Sequence, residues 1–113
     1  MSYSTDEGGK TVAASLVDSR LLRREILRIL DAAYLYGASI ELIMLSLADA
    51  GYPVTETDVE EHLIYLRDKG YATIEQAQSK SLGRQKWARL TPKGKDLLDG
   101  NIDPDPGVMP ALR

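Results

Sequence analysis

The sequence predicts a mainly α fold carrying one small β-hairpin, and three observations predict it. Apolar residues recur at helical spacing from Asp18 to Leu66. Glycines and a proline cut that stretch into three pieces joined by very short turns. At Gly70-Tyr71 the period switches to alternation, and a polar, glycine-bearing tip separates two alternating runs.

The first helix is expected from Asp18 to Tyr36. Leu22, Ile26, Ile29, Leu30 and Ala33 form its apolar stripe, while Arg20, Arg23, Arg24 and Arg28 fall on a solvated face. Leu27, Leu35 and Tyr36 are left outside that stripe, and Gly37 offers a C-cap. Ser39 is the N-cap of a second helix with Glu41 in its first turn. That helix carries Ile40, Ile43, Leu47 and Ala48, and it stops at Gly51. Pro53 then pushes Tyr52 out of helical dihedrals. Thr55 caps a third helix, and Asp58 three residues later completes a capping box with aspartate in place of the usual Glu or Gln. Val59, Leu63 and Leu66 are its buried stripe, and Gly70 ends it.

Tyr71 to Ile74 reads as one strand and Lys86 to Leu90 as its partner, with the polar tip Ser79–Arg84 between them. Ala88 and Leu90 share the core face; Trp87 and Arg89 point the other way. Thr91-Pro92 opens a last short helix pinned by Leu97 and Leu98. The folded domain is therefore expected over 16–99. Residues 1–15 are polar with two adjacent glycines, and a disordered arm is expected there. Residues 100–113 hold Pro104, Pro106 and Pro110, and an extended tail is expected, ordered only by docking.

Composition removes whole classes of chemistry. The chain of 113 residues has no cysteine, so a disulfide framework, a zinc ribbon and a thiol nucleophile are out. His62 is the lone histidine, which leaves no ordinary metal site, and no Gly-x-Ser-x-Gly elbow is present. Glu60 and Glu61 are adjacent on a helix and point about 100° apart, so they are not a catalytic pair. No catalytic residue, metal or cofactor is expected. Without a membrane-length apolar run or a secretory leader, the expectation is a cytoplasmic protein.

The net charge of −3 makes no overall case for nucleic acid, but its distribution is uneven. Lys80, Arg84, Lys86, Arg89, Lys93 and Lys95 follow Gln76 with no acid among them. Glu56, Asp58, Glu60, Glu61 and Asp68 crowd the third helix. Three helices followed by a hairpin with a basic tip are the layout of a winged helix-turn-helix. The run Val59–Tyr71, with its His-Leu-x-x-Leu-x-x-x-Gly phrase, resembles the recognition helix of ArsR-type regulators. Arg89–Lys95 resembles the closing Leu-Thr-x-x-Gly phrase of the wing in PadR- and MarR-type regulators. The likeness spans about residues 20–98. The size, the Leu-Thr-Pro-Lys-Gly phrase and the Asp-Gly tail are also similar to small winged-helix proteins of Mu-like prophages.

That resemblance implies duplex recognition, yet the outward side of helix three presents Thr57, Glu61, Ile64 and Asp68, with Tyr65 at its edge. A carboxylate is repelled by phosphates and reads only amino groups of the bases. Two functions follow. The first is a homodimeric DNA-binding transcriptional regulator that contacts the duplex with Thr55 and Thr57 at the helix-three start. Lys80, Ser81, Arg84, Gln85 and Lys86 of the wing complete that contact. The second is a winged-helix protein–protein interaction module whose partner docks on Glu61, Ile64 and Tyr65. The regulator is the preferred expectation. His62 is expected to be a partly buried structural histidine, and Trp87 to pack beneath a helix or a terminal arm.

Overall fold

The computed structural model describes residues 19–80 and 83–110. The expected arm over 1–15, and Ser81 of the expected wing contact, lie outside the described residues. Helix α1 occupies 19–32 and is followed by turns over 33–36. It therefore ends earlier than the expected Tyr36. Leu35 takes a left-handed φ of 87° and Gly37 one of 76°, which breaks the helical ladder. Gly37 is required here: a Cβ at this position would land on the carbonyl oxygen of Ala88. That close approach admits a strand that the sequence pattern does not announce.

This strand, β1 (Ala38–Ser39), pairs with β3 through Ala38↔Ala88 and Ser39↔Trp87. Two residues carry no readable period. Helix α2 spans Ile40–Asp49, with Ser39 Oγ accepting from the Leu42 N–H at 3.1 Å. Ile40, Ile43 and Leu47 are buried, but Ala48, expected in the stripe, is exposed. Helix α3 spans Glu56–Asp68 and starts with the expected capping box. The Asp58 N–H donates to Thr55 Oγ1 at 3.1 Å, and the Thr55 N–H donates to Asp58 Oδ2 at 3.0 Å. Val59, Leu63 and Leu66 are fully buried, as expected.

Strands β2 (Ala72–Ser79) and β3 (Gly83–Leu90) form the antiparallel wing, and the sheet order is β1-β3-β2. Both strands run farther than expected. Their outer halves carry Glu75, Gln76, Gln78, Arg84 and Gln85, a ladder in solvent with no apolar alternation to read. The turn falls between Ser79 and Gly83, inside the expected tip. Helix α4 (Pro92–Asp99) is capped by Thr91, whose hydroxyl accepts from the Gly94 N–H and donates to the Gly70 carbonyl. Among the described residues the fold is thus a winged helix of four helices with a three-stranded antiparallel sheet.

Residues 100–110 cross back over α1. Val108 is buried, Ile102 packs against the core, and the Met109 N–H donates to the Arg20 carbonyl at 3.0 Å. This explains a correction on α1: Leu27, left outside the stripe by its spacing, is fully buried. It faces Leu97, Leu98, Ile102 and Val108, so α1 is covered on two sides rather than one. Among the described residues no helix is long and apolar enough to cross a membrane.

Candidate nucleic-acid interface

Helix α3 is the element on which both expected functions turn, and its two flanks differ. Thr57, Glu61, Ile64 and Asp68 are exposed on its open face, as the spacing required. Toward the wing, Glu60 Oε1 accepts from Lys86 Nζ at 2.6 Å, with both side chains about one-third exposed. Ser39, Ile40, Glu41, Glu56, Glu60, Arg84, Gln85 and Lys86 line one groove between the starts of α2 and α3 and strand β3. The wing is thereby held beside the N-terminal half of α3. At the outer end of this groove Arg84 stands opposite Gln78 in the ladder and is exposed.

The expected contact residues are placed unequally. The Thr55 hydroxyl is spent on the α3 cap, whereas Thr57 is open. Lys80 and Arg84 are exposed and make no ion pair among the described residues. Gln85 is half-buried beside them, and Lys86 is neutralised by Glu60. The remaining cations of the basic run are committed elsewhere. Arg89 pairs with Glu75 at 3.4 Å, Lys93 Nζ donates to the Lys69 carbonyl at 3.1 Å, and Lys95 bridges Asp31 and Asp99. Charge available to a phosphate is thus concentrated at the wing tip. Trp87 is half-buried, and its Nε1 donates to the Tyr36 carbonyl at 2.6 Å, on the bend before β1; the N-terminal arm expected over 1–15 lies outside the described residues.

The other flank of α3 is closed by the chain's own tail, which corrects two expectations. Arg23, expected on a solvated face, lies 3.9 Å from the centroid of the Tyr65 ring. Its Nε donates to His62 Nδ1 at 3.3 Å, and its NH1 donates to the Gly107 carbonyl at 3.1 Å. Tyr65, expected on a partner surface, instead donates from its hydroxyl to Asp105 Oδ1 at 2.6 Å. The Tyr71 hydroxyl donates to Asp105 Oδ2 at 2.8 Å, and the Gly107 N–H donates to Oδ1 at 2.7 Å. Of the three residues expected to receive a partner on α3, Glu61 and Ile64 are exposed and Tyr65 is half-buried in this contact.

Asp105 is 6% exposed. Its burial works to raise the carboxyl's pKa, but donation from Tyr65, Gly107 and Tyr71, with Lys69 nearby, outweighs it and holds the group below its ordinary value. Burial, then hydrogen bonding to Asp105, pushes Tyr71 up to about 12. Burial and then the Arg23 charge depress His62, against the opposing pull of Asp58 and Glu61. His62 is thus a half-buried acceptor for Arg23, and a neutral one. Asp105 had no sequence signal beyond the apolar Ile102 and Val108 set among the prolines of the tail. Among the described residues no group of His, Cys, Asp and Glu is arranged to hold a metal ion.

Comparison with known proteins agrees with this architecture. No family model and no curated protein matches the chain. Solved structures do. A PadR-like transcription factor from Bacteroides fragilis superposes with a TM-score of 0.66 at 22% identity, over 79% of this chain and 84% of that one. A PadR family transcriptional regulator from Eggerthella lenta gives 0.58 at 23%, over 84% and 83%. Bacillus subtilis PadR, crystallised in complex with operator DNA, gives 0.59 at 22%, over 81% of this chain and 53% of that one. The chain thus spans about half the length of the Bacillus protein. At these identities the likeness shows the fold, a PadR-like winged helix.

Proposed function

We propose that this chain is a double-stranded-DNA-binding transcriptional regulator that acts as a homodimer and holds the duplex chiefly by its phosphates. The observation that carries the reading is the wing tip. Lys80 and Arg84 stand exposed there and make no ion pair among the described residues, and Thr57 is open on α3. The fold supports it, because a structure of the same architecture was crystallised in complex with operator DNA. In this reading Lys80, Ser81 and Arg84 contact phosphate, and Gln85 and Thr57 approach the groove. Thr55 contributes through the cap that fixes the start of α3. Lys86 joins the contact by exchanging Glu60 for a phosphate oxygen. The carboxylates of α3 weaken base reading, so affinity rests on the sequence-independent term.

The test is titration of a random-sequence duplex at several salt concentrations. Each phosphate contact contributes about 0.9 to the slope of log affinity against log salt. Replacing Lys80, Arg84 and Lys86 together by Ala is expected to flatten that slope by about two to three units and to weaken all sequences alike. An unchanged slope overturns the assignment of the wing. Ile64, 37% exposed between Glu61 and Asp68, favours the second reading, a protein-docking face on α3. Loss of a partner on Ile64→Ala, with no duplex binding at all, is the outcome that reading requires.

A further inference from the structure

The bend between α1 and β1 holds its apolar side chains out of the core. Tyr34, Leu35 and Tyr36 are 66%, 68% and 78% exposed. Leu35 also sits at φ 87°, a left-handed conformation adopted by no other non-glycine among the described residues. A branched side chain is disfavoured there, and such strain persists only where the surroundings fix it. They do so here. Trp87 Nε1 donates to the Tyr36 carbonyl at 2.6 Å, and Arg89 NH1 donates to the Leu35 carbonyl at 3.2 Å. Two side chains from one face of β3 thus clamp a strained bend that presents three large apolar groups to water.

Beside this protrusion lies an open recess of about 520 Å³. Tyr34, Leu90 and Pro92 supply its apolar lining, and Asp31, Lys95 and Asp96 supply its charged lining. We propose that protrusion and recess are the two halves of a self-complementary interface. Two copies of this chain pair about a twofold axis, Leu35 and Tyr36 of each entering the recess of the other. The charges choose a second copy as the occupant. Lys95 and Arg89, held within the chain in solvent-exposed ion pairs with Asp31 and Glu75, flank the same apolar centre as Asp96, so both signs are present and a rotated copy can exchange these partners for its own. A patch of one sign would repel itself.

The surface is compatible with the wing. Successive strand residues alternate faces, so Trp87 and Arg89 point away from the side on which Lys86 meets Glu60. Pairing through the bend leaves Lys80, Arg84 and Thr57 uncovered. The inference deepens the homodimer part of the function proposed above and rests on no DNA contact.

Sedimentation equilibrium without DNA tests it. The native chain is expected to be a dimer at tens of micromolar. Leu35→Gly removes the side chain and the strain while keeping the backbone carbonyl that Arg89 holds. It is expected to raise the dimer Kd about tenfold or more, the loss typical of an interface anchor. Its melting temperature, measured at a concentration where both proteins are monomeric, is expected to stay equal or rise. Tyr36→Asp, which buries a charge at the apolar centre, is expected to abolish the dimer. A native monomer at that concentration, or a Leu35→Gly dimer as tight as the native one, overturns the interface. Either result leaves the salt slope of duplex binding to be judged separately.

Discussion

The two flanks of α3 hold polar groups in opposite ways. On the tail side, Asp105 is buried and accepts from two tyrosine hydroxyls and a backbone N–H, while Arg23 joins Tyr65, His62 and Gly107. On the wing side, one ion pair between Glu60 and Lys86 spans a groove open to water, and Arg84 stands exposed beside it. A buried carboxylate is tolerable only when its lone pairs are satisfied, so the tail flank is built for stability. A solvated ion pair adds little to stability and exchanges its partner readily. The contrast separates the part of α3 that fastens the fold from the part free to meet a ligand.

The largest expected effect tests the tail flank. Asp105→Ala removes an acceptor on which three donors converge and is expected to cost about 2–3 kcal/mol, read by urea denaturation. Under conditions where the variant is folded, its duplex affinity is expected to match the native value. A comparable loss of DNA binding would erase the distinction between the flanks.

A smaller effect follows from His62. Its folded pKa lies below the ordinary 6.5, so between those two values the unfolded chain binds more protons than the folded one. Stability therefore rises with pH through that window and falls as the solution is acidified below about pH 6.5. Protonation turns Nδ1 from acceptor to donor and sets a second cation against Arg23. Asp105 titrates elsewhere: its depressed pKa gives a stabilisation complete above the ordinary carboxylate range and lost only as pH falls through the folded value. His62→Gln is expected to remove the upper phase of a stability-against-pH curve and leave the lower one. Disappearance of both phases would show that the groups act as one unit.

The smallest expected effect on folding belongs to the wing flank. Glu60→Gln is expected to change stability by less than about 1 kcal/mol in the same denaturation assay. A larger loss would mean that the ion pair fastens the wing.

The sequence was most legible where one element repeats one period. The capping box at Thr55 and Asp58 and the stripe Val59, Leu63 and Leu66 stand where spacing and side-chain chemistry placed them. The wing was legible at its base and not along its length, because Glu75, Gln76, Arg84 and Gln85 pair by backbone bonds that leave no apolar pattern. β1 was invisible because its two residues pair only after Gly37 lets the chain approach Ala88. Leu27, Arg23 and Tyr65 were misplaced for one shared reason. Each is covered or engaged by a tail whose docking is a long-range event, and helical spacing records only neighbours within an element. For the candidate site, spacing placed Thr57, Glu61, Ile64 and Asp68 on the open face of α3. It did not reveal that Lys86 is neutralised by Glu60, a pairing between residues distant in sequence.

The central claim is that the open side of α3 and the wing tip face a duplex, and the sign of one charge tests it most directly. Glu61 is exposed on that side, away from the Glu60–Lys86 pair. Glu61→Gln is compared with the native chain for binding to a random-sequence duplex at low salt, by fluorescence anisotropy. If phosphates approach this face, removing a repelling carboxylate strengthens binding and makes the salt dependence steeper. Equal affinity for the two proteins, or no detectable binding by either in a folded sample, would contradict it.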